Sequence, residues 1–284
     1  MGDFHQTGIV TTLHNLTRRS LHELEAELLN FSQQRRLGLI LPSLYSELNT
    51  DALPNIMNVL KHVPYLNQIV IGLDRADLAQ YQHALEFFSV LPQNHRVLWN
   101  DGERLQALHS ELEEQGLAPT HIGKGRNVWY CMGYVLASRQ TDSVALHDCD
   151  ILTYERDLLA RLLYPVANPQ FNYEFCKGYY SRVANGKMNG RVSRLFVTPL
   201  IRALKKILSN NDYLEFMDSF RYPLAGEFSF RTNVLVDLRI PSDWGLEIGV
   251  LSEMHRNYAH NRLCQVEIAD NYDHKHQELS LEDK

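Results

Sequence analysis

The feature that most constrains the fold is an alternation of short apolar runs with longer amphipathic segments through the first half of the chain. Leu37-Gly-Leu-Ile-Leu41, Gln68-Ile-Val-Ile-Gly72, Arg96-Val-Leu-Trp99 and Ser143-Val-Ala-Leu-His147 each read as a short buried strand, the first closed by Pro42. Helical patterns lie between them. Asp51 to Lys61 is one. Asp77 to Val90 is another, with Leu78, Tyr81, Leu85 and Phe88 in step, and Asp101 to Gln115 a third, with Asp101 as its N-cap. An earlier amphipathic stretch, Asn15 to Phe31, carries Leu16, Leu21, Leu24, Leu28 and Phe31 on one face. Strand and helix alternating at this spacing imply a doubly wound, mostly parallel α/β sheet. In such sheets ligands bind outside the carboxyl ends of the strands, which points to Pro42–Glu47, Gly72–Asp77 and Asp148–Asp150.

The second half is less regular. Arg191 to Leu208 and Gly245 to Tyr258 read as helices and Cys264 to Ile268 as a strand. Phe220 to Glu227 is an aromatic, glycine-bearing turn, and the tail from Glu278 is charged. A formal charge of -6, with lysine and arginine dispersed, argues against a nucleic-acid coat. No apolar run approaches the ~20 residues that span a bilayer, and the N-terminus has no secretory pattern. The four cysteines, at 131, 149, 176 and 264, form no CxxC pair. They read as reduced thiols, so a cytoplasmic protein is expected.

Two carboxylates in His147-Asp148-Cys149-Asp150, at a strand end, suit a hard cation shared with substrate phosphates. The competing reading is a polar turn. In His121-Ile-Gly-Lys-Gly-Arg126, glycines flank a lysine just before a helix, which offers an exposed cation near a positive helix end; an ordinary loop is the alternative, and the Walker spacing is absent. Gly190-Arg191-Val-Ser193 stands at a helix start, where it serves an anion or merely caps. Glu247 sits in the apolar stretch Trp244-Gly-Leu-Glu-Ile-Gly249, either buried and paired or an ordinary first-turn glutamate. Asn271-Tyr-Asp-His-Lys-His-Gln277 offers histidines, with a solvated loop as the alternative; a zinc hydrolase built from His147, Asp148, His274 and His276 lacks any HExxH-type support.

Taken in order, these segments resemble the glucosyl-3-phosphoglycerate synthases, retaining glycosyltransferases of the GT-A fold. The resemblance runs from about Leu37 to Leu279. It is carried by Leu-Pro-Ser-Leu at 41–44, Gly-Lys-Gly at 123–125, Asp-Cys-Asp at 148–150, Gly-Arg-Val at 190–192 and Thr-Pro-Leu at 198–200. Tyr-Pro-Leu-Ala-Gly-Glu at 222–227, Gly-Leu-Glu-Ile-Gly at 245–249 and His-Lys-His at 274–276 complete it. The chain departs from better-known members at Ser46-Glu47, where they carry an acidic pair, in the glycine-poor Lys187-Met-Asn-Gly190, and at His276, where they carry asparagine.

The resemblance implies a GT-A, Rossmann-like sheet with a smaller C-terminal acceptor-binding lobe. It implies an N-terminal helical extension over 1–36, a nucleotide-sugar-binding half over 37–155 and an acceptor-binding half with its tail over 156–284, in one continuous domain. The implied reaction moves glucose from a nucleoside-diphosphate glucose to the 2-hydroxyl of 3-phosphoglycerate, with retention and with Mg2+ or Mn2+. Pro42, Ser43, Leu44 and Glu47 would hold base and ribose, and Lys124 would sit near the nucleotide. Asp148 would touch the donor and Glu247 the sugar hydroxyls. Asp150 and His274 would hold the metal. Gly190, Arg191 and Ser193, with His276 nearby, would bind the acceptor. Arg191 suits a doubly anionic acceptor, and a divalent cation offsets charge on the departing diphosphate. A homodimer is implied by likeness alone. Competing readings are a related transferase using mannose or another small acid, a nucleotide-sugar hydrolase, and a non-catalytic binding module.

Overall fold

The computed structural model describes residues 8–184 and 187–273. Ten strands occur in chain order: β1 (Thr11–Leu13), β2 (Leu37–Leu44), β3 (Leu66–Asp74), β4 (His95–Trp99), β5 (Ser143–Leu146), β6 (Phe175–Tyr180), β7 (Val183–Ala184), β8 (Lys187–Met188), β9 (Phe228–Arg231) and β10 (Leu263–Ala269). Eight of them form one sheet in the order β1-β10-β6-β9-β5-β2-β3-β4, while β7 and β8 pair separately. Every neighbouring pair in the large sheet is parallel except those of β9, which runs antiparallel to both β5 and β6.

The helices are α1 (Leu21–Ser32), α2 (Ala52–Leu60), α3 (Leu78–Phe88), α4 (Glu103–Glu114), α5 (Lys124–Ser138), α6 (Arg156–Ala167), α7 (Thr198–Leu208), α8 (Asp212–Asp218) and α9 (Leu246–Asn257). They cover both faces of the sheet, and β2, β3 and β5 are largely apolar on both sides for that reason. Leu39 and Leu41 of β2, Ile69 and Ile71 of β3, and Ala145 of β5 join Leu28 of α1, Ile56 of α2 and Leu159 of α6 in one core layer. The alternate residues Ile40, Val70, Val144 and Leu146 join Val128 and Val135 of α5 and Val250 of α9 in the other. Each such side chain contributes ~1.5–3 kcal/mol on burial, so both faces of these strands favour the interior.

Several sequence expectations need correction. β2 does not stop at Pro42 but continues to Leu44. Its ladder with β5 ends at Ile40–Leu146, while pairing with β3 runs on to Leu44–Asp74. Beyond Ile40 one edge of β2 is therefore unladdered, and a residue lacking N–H is tolerated there. The stretch from Asn15 is two elements, a 3-10 turn (Asn15–Arg18) and α1, because Ser20 opens α1 with a reciprocal cap to Glu23. Asp101 does not cap α4; Gly102 occupies that position, and the Asp101 carboxylate accepts from the Ala76 N–H at 3.1 Å. Leu78 and Leu85 of α3 are exposed; Phe88 is buried as expected, and Ala84 joins it. Helix α5 begins at Lys124.

The chain leaves β2 toward β3 on one side, while β5 lies on the other. The crevice between the carboxyl ends of β2 and β5 is thus a topological switch point, where such sheets bind ligands. Ser43 and Leu44 close β2 and Tyr45 to Glu47 follow it, while His147 to Asp150 follow β5.

Candidate active site

At the β2 end, Ser43 is buried and Glu47 lies in the 3-10 turn Tyr45–Asn49. The Ser43 hydroxyl and the Leu44 N–H both donate to Glu47 Oε2, each at 3.1 Å. Burial pushes the Glu47 carboxyl up to about 7, and the negative charges of Asp150 and Asp148 add to the rise against these hydrogen bonds.

At the β5 end, Asp148 meets Lys124. Lys124 Nζ lies 2.6 Å from Asp148 Oδ1 and 2.9 Å from Glu247 Oε1. The lysine is therefore not the solvent-exposed cation that the glycine-flanked loop suggested, and its side chain is only 21% exposed. Burial alone would lower its ammonium, but Asp148 and Glu247 outweigh burial and hold it charged well above the usual lysine range.

Local packing brings these distant residues together. Arg126 and Asn127, in the first turn of α5, both donate to the Asp74 carboxylate at the end of β3, at 3.2 and 3.0 Å. The Arg126 N–H also donates to the Ser242 carbonyl at 2.9 Å. A Cβ on Gly125 would fall 1.9 Å from the Pro241 carbonyl oxygen, so only glycine lets α5 approach the 241–245 segment this closely. That segment opens α9, and Glu247 stands in the first turn of α9.

A second group lies behind the ion pairs and was given no role by sequence reasoning. Glu227 is fully buried and accepts from the Tyr180 hydroxyl at 2.8 Å and the Tyr272 hydroxyl at 2.6 Å. The two tyrosine rings stack with centroids 3.7 Å apart. Burial, and then the nearby Asp148 charge, push the Glu227 carboxyl up to about 7. Lys177, also fully buried, donates to the Ala225 carbonyl and lies 5.0 Å from the Phe228 ring centroid. Burial lowers its ammonium to about 8, against the opposing pull of Glu247 and Glu227. Gly226 sits between the two groups, and a Cβ there would lie 2.3 Å from Asp148 Oδ2 and 2.9 Å from Lys124 Nζ. In the sequence the run Tyr222–Glu227 is marked only as part of an aromatic, glycine-bearing turn and of the family resemblance.

The remaining expected residues are distributed as follows. Pro42 and Leu44 are half-buried at the end of β2. Gly190 has φ +72, a left-handed conformation that favours glycine, and a Cβ on it would lie 3.6 Å from the Tyr222 hydroxyl. Tyr222 packs edge-on against Tyr180, 5.1 Å between centroids, which links Gly190 to the Glu227 group. Arg191 is exposed. The Ser193 hydroxyl is buried with no hydrogen-bond partner among the described residues. His274 and His276 lie outside the described residues. Asp273, the last described residue, is held beside the acidic segment. Its N–H donates to Thr153 Oγ1 at 3.0 Å and its carbonyl accepts from the Leu152 N–H at 2.9 Å.

His147 offers nothing to a zinc site here. It is fully buried, packs against Tyr154 at 5.4 Å, has neither ring nitrogen hydrogen-bonded among the described residues, and is lowered to about 3 by burial. A surface cleft of about 690 Å³, lined by Val59, His62, Arg156 and Asp157 among others, includes none of the crevice residues.

The crevice thus sets Asp148, Glu227 and Glu247 around Lys124 and Lys177, and Glu47 within electrostatic reach of Asp148 and Asp150. This excess of carboxylate, with the rise of Glu47, suits a hard divalent cation bound by oxygen.

No family model matches the chain. It is 50% identical over 279 residues to a glucosyl-3-phosphoglycerate synthase of Persephonella marina, covering 98% of this chain and 69% of that protein. It is 39% identical over 282 residues to one of Methanococcoides burtonii, covering 98% and 68%. The fold is similar to that of a solved glucosyl-3-phosphoglycerate synthase from Mycobacterium tuberculosis in complex with Mn2+, UDP-glucose and phosphoglyceric acid. The TM-score is 0.68 at 20% identity, over 95% of this chain and 81% of that one. A complex of the same protein with Mg2+ and UDP matches equally, with a TM-score of 0.68.

Proposed function

The chain belongs to the glucosyl-3-phosphoglycerate synthase family, and from that premise we propose how its residues divide the work. It is a GT-A glycosyltransferase that moves glucose from a nucleoside-diphosphate glucose to the 2-hydroxyl of 3-phosphoglycerate, with Mg2+ or Mn2+. The observation that carries the residue assignment is the clasp of Lys124 by Asp148 and Glu247 at the β2/β5 switch point.

The half over 37–155 takes the donor. Pro42, Ser43, Leu44 and Glu47 line the β2 end and hold base and ribose. Lys124 stands beside the nucleotide, Asp148 meets the donor and Glu247 holds sugar hydroxyls. Asp150 and His274 hold the metal, which offsets negative charge on the departing diphosphate. The half over 156–284 takes the acceptor. Gly190, Arg191 and Ser193 hold its phosphate and carboxylate, with His276 nearby; the partnerless Ser193 hydroxyl supports an anion there.

Asp148 and Glu247 are both engaged by Lys124 and are poor nucleophiles in that state. We therefore favour same-face substitution. The bond from the anomeric carbon to the diphosphate breaks, the acceptor oxygen bonds on the same face, and its proton passes to the departing phosphate oxygen.

UDP-glucose is the donor we put first, with GDP-glucose as its rival. Four free, buried cysteines favour a cytoplasmic setting, and no helix among the described residues is long and apolar enough to cross a membrane. The exposed Val192, Leu195, Phe196 and Leu200, on and before α7, favour a homodimer.

Purified protein with UDP-glucose or GDP-glucose, Mg2+ and 3-phosphoglycerate tests the reading. Glucosyl-3-phosphoglycerate formed only with acceptor supports it. Free glucose without acceptor means hydrolysis, and no turnover with either donor means a binding module; either outcome overturns the reading.

A further inference from the structure

We propose that Asp212, His255 and His260 form a second metal site, built for a borderline transition-metal ion such as Zn2+. The site lies outside the transferase crevice and does not depend on the reading of that crevice. Asp212 stands in the first turn of α8, His255 in the last turn of α9, and His260 in the 3-10 turn His260–Arg262. One potential ligand atom from each lies within 4.8 Å of the others, and this is the only such trio among the described residues.

The rings are held before any ion arrives. Phe216, fully buried, packs against both imidazoles, at 5.1 Å from the His255 centroid and 5.5 Å from that of His260. The two imidazoles stack 5.7 Å apart, and Tyr213 packs edge-on against His255 at 5.3 Å. The Tyr213 hydroxyl also bonds Ser252 at 2.8 Å, which ties α8 to α9 beside the trio. Ligands fixed in this way lose little freedom on binding.

The donor chemistry selects the ion. Two imidazoles and one carboxylate, with water in the fourth position, form a tetrahedral Zn2+ set. Mg2+, which the crevice takes, prefers oxygen ligands throughout and does not compete here. His255 Nε2 and Asp212 Oδ2 are hydrogen-bonded at 2.9 Å. A bound ion takes the place of that hydrogen bond, with both atoms turned to it as ligands. The ion then fastens α8 to the far end of the helix whose first turn carries Glu247.

Equilibrium dialysis of tag-free full-length protein against Zn2+, in the presence of excess Mg2+ and UDP, tests the site. Parent and Asp150→Asn proteins should each bind one more Zn2+ than His260→Ala, and Asp212→Asn should bind at least tenfold more weakly. Zn2+ should raise the melting temperature of the parent and of Asp150→Asn but not of His260→Ala. Tetrahedral visible bands should appear when Co2+ is used. His260→Ala leaves the His255–Asp212 ion pair in place, so equal Zn2+ binding by that variant overturns the proposal. Loss of the extra Zn2+ in Asp150→Asn overturns it too, because the ion would then belong to the crevice. Asp212 is exposed, so its substitution tests ligation without threatening the fold.

Discussion

Gly226→Ala probes the site with a single methyl group. The backbone of Gly226 is not left-handed, so alanine is conformationally acceptable and only space resists it. Its Cβ would stand 2.3 Å from Asp148 Oδ2, where ordinary contact begins at 3.4 Å. The carboxylate must therefore retreat by about 1 Å. It sits at the end of a side chain, so it can move without disturbing the sheet. Its 2.6 Å contact with Lys124 cannot survive such a shift, and the methyl also crowds Lys124 Nζ at 2.9 Å. A misplacement of ~1 Å in a reacting site costs ~10²-fold in rate, or about 2.7 kcal/mol in the barrier. The assay is UDP release from UDP-glucose with 3-phosphoglycerate and Mn2+, beside a thermal melt. A fall in kcat/KM of about 100-fold with a melting temperature within a few degrees of the parent is expected. A variant with parental kcat/KM would refute the claim that Asp148 and Lys124 must keep this geometry.

Four further predictions follow from the same structure. Asp150→Asn should lower turnover by ~10²-fold or more and remove the response to Mn2+, because its carboxylate is assigned to the metal; UDP release across a Mn2+ titration checks this. Arg191→Ala should raise the 3-phosphoglycerate KM by ~10-fold, the loss of one charged hydrogen bond, and leave the donor KM unchanged in steady-state kinetics. For Lys177, the folded value of about 8 lies below the ordinary 10.5, so the folded chain binds fewer protons between those values and its stability rises with pH through that window. Denaturant unfolding of the parent minus Lys177→Met should therefore shift by about 2 kcal/mol in favour of the parent from pH 7 to about 9.5, and a flat difference would count against a buried charged lysine. Leu195→Glu with Phe196→Glu should yield monomers by light scattering if the exposed apolar face pairs two chains.

Residues of β6 and β9 explain where sequence reading failed. Both strands lie in the middle of the sheet, yet neither reads as an apolar run. Lys177 puts a charge in β6, and Ser229 puts a hydroxyl in β9. Each is fully buried and is satisfied by a partner far along the chain: Lys177 by the Ala225 carbonyl, and Ser229 by the Leu162 carbonyl at 2.7 Å. A buried polar residue looks like surface until its partner is known.

The sequence by itself determined β2, β3 and β5, because strands covered on both faces are apolar almost throughout, and β4 from the shorter run Val97-Leu98-Trp99; each leaves a local mark. It also determined that Asp148 and Asp150 follow a strand end, and that Lys124 stands at a helix start. It did not determine that β9 runs antiparallel between β5 and β6. Nor did it determine that Lys124, Asp148, Gly226 and Glu247 meet. Local periodicity records that a residue is buried, not which element buries it. Which elements meet depends on sheet order and on close approaches such as that of Gly125 to Pro241. That order turned a glycine-flanked lysine, expected to be exposed, into the half-buried cation between two carboxylates.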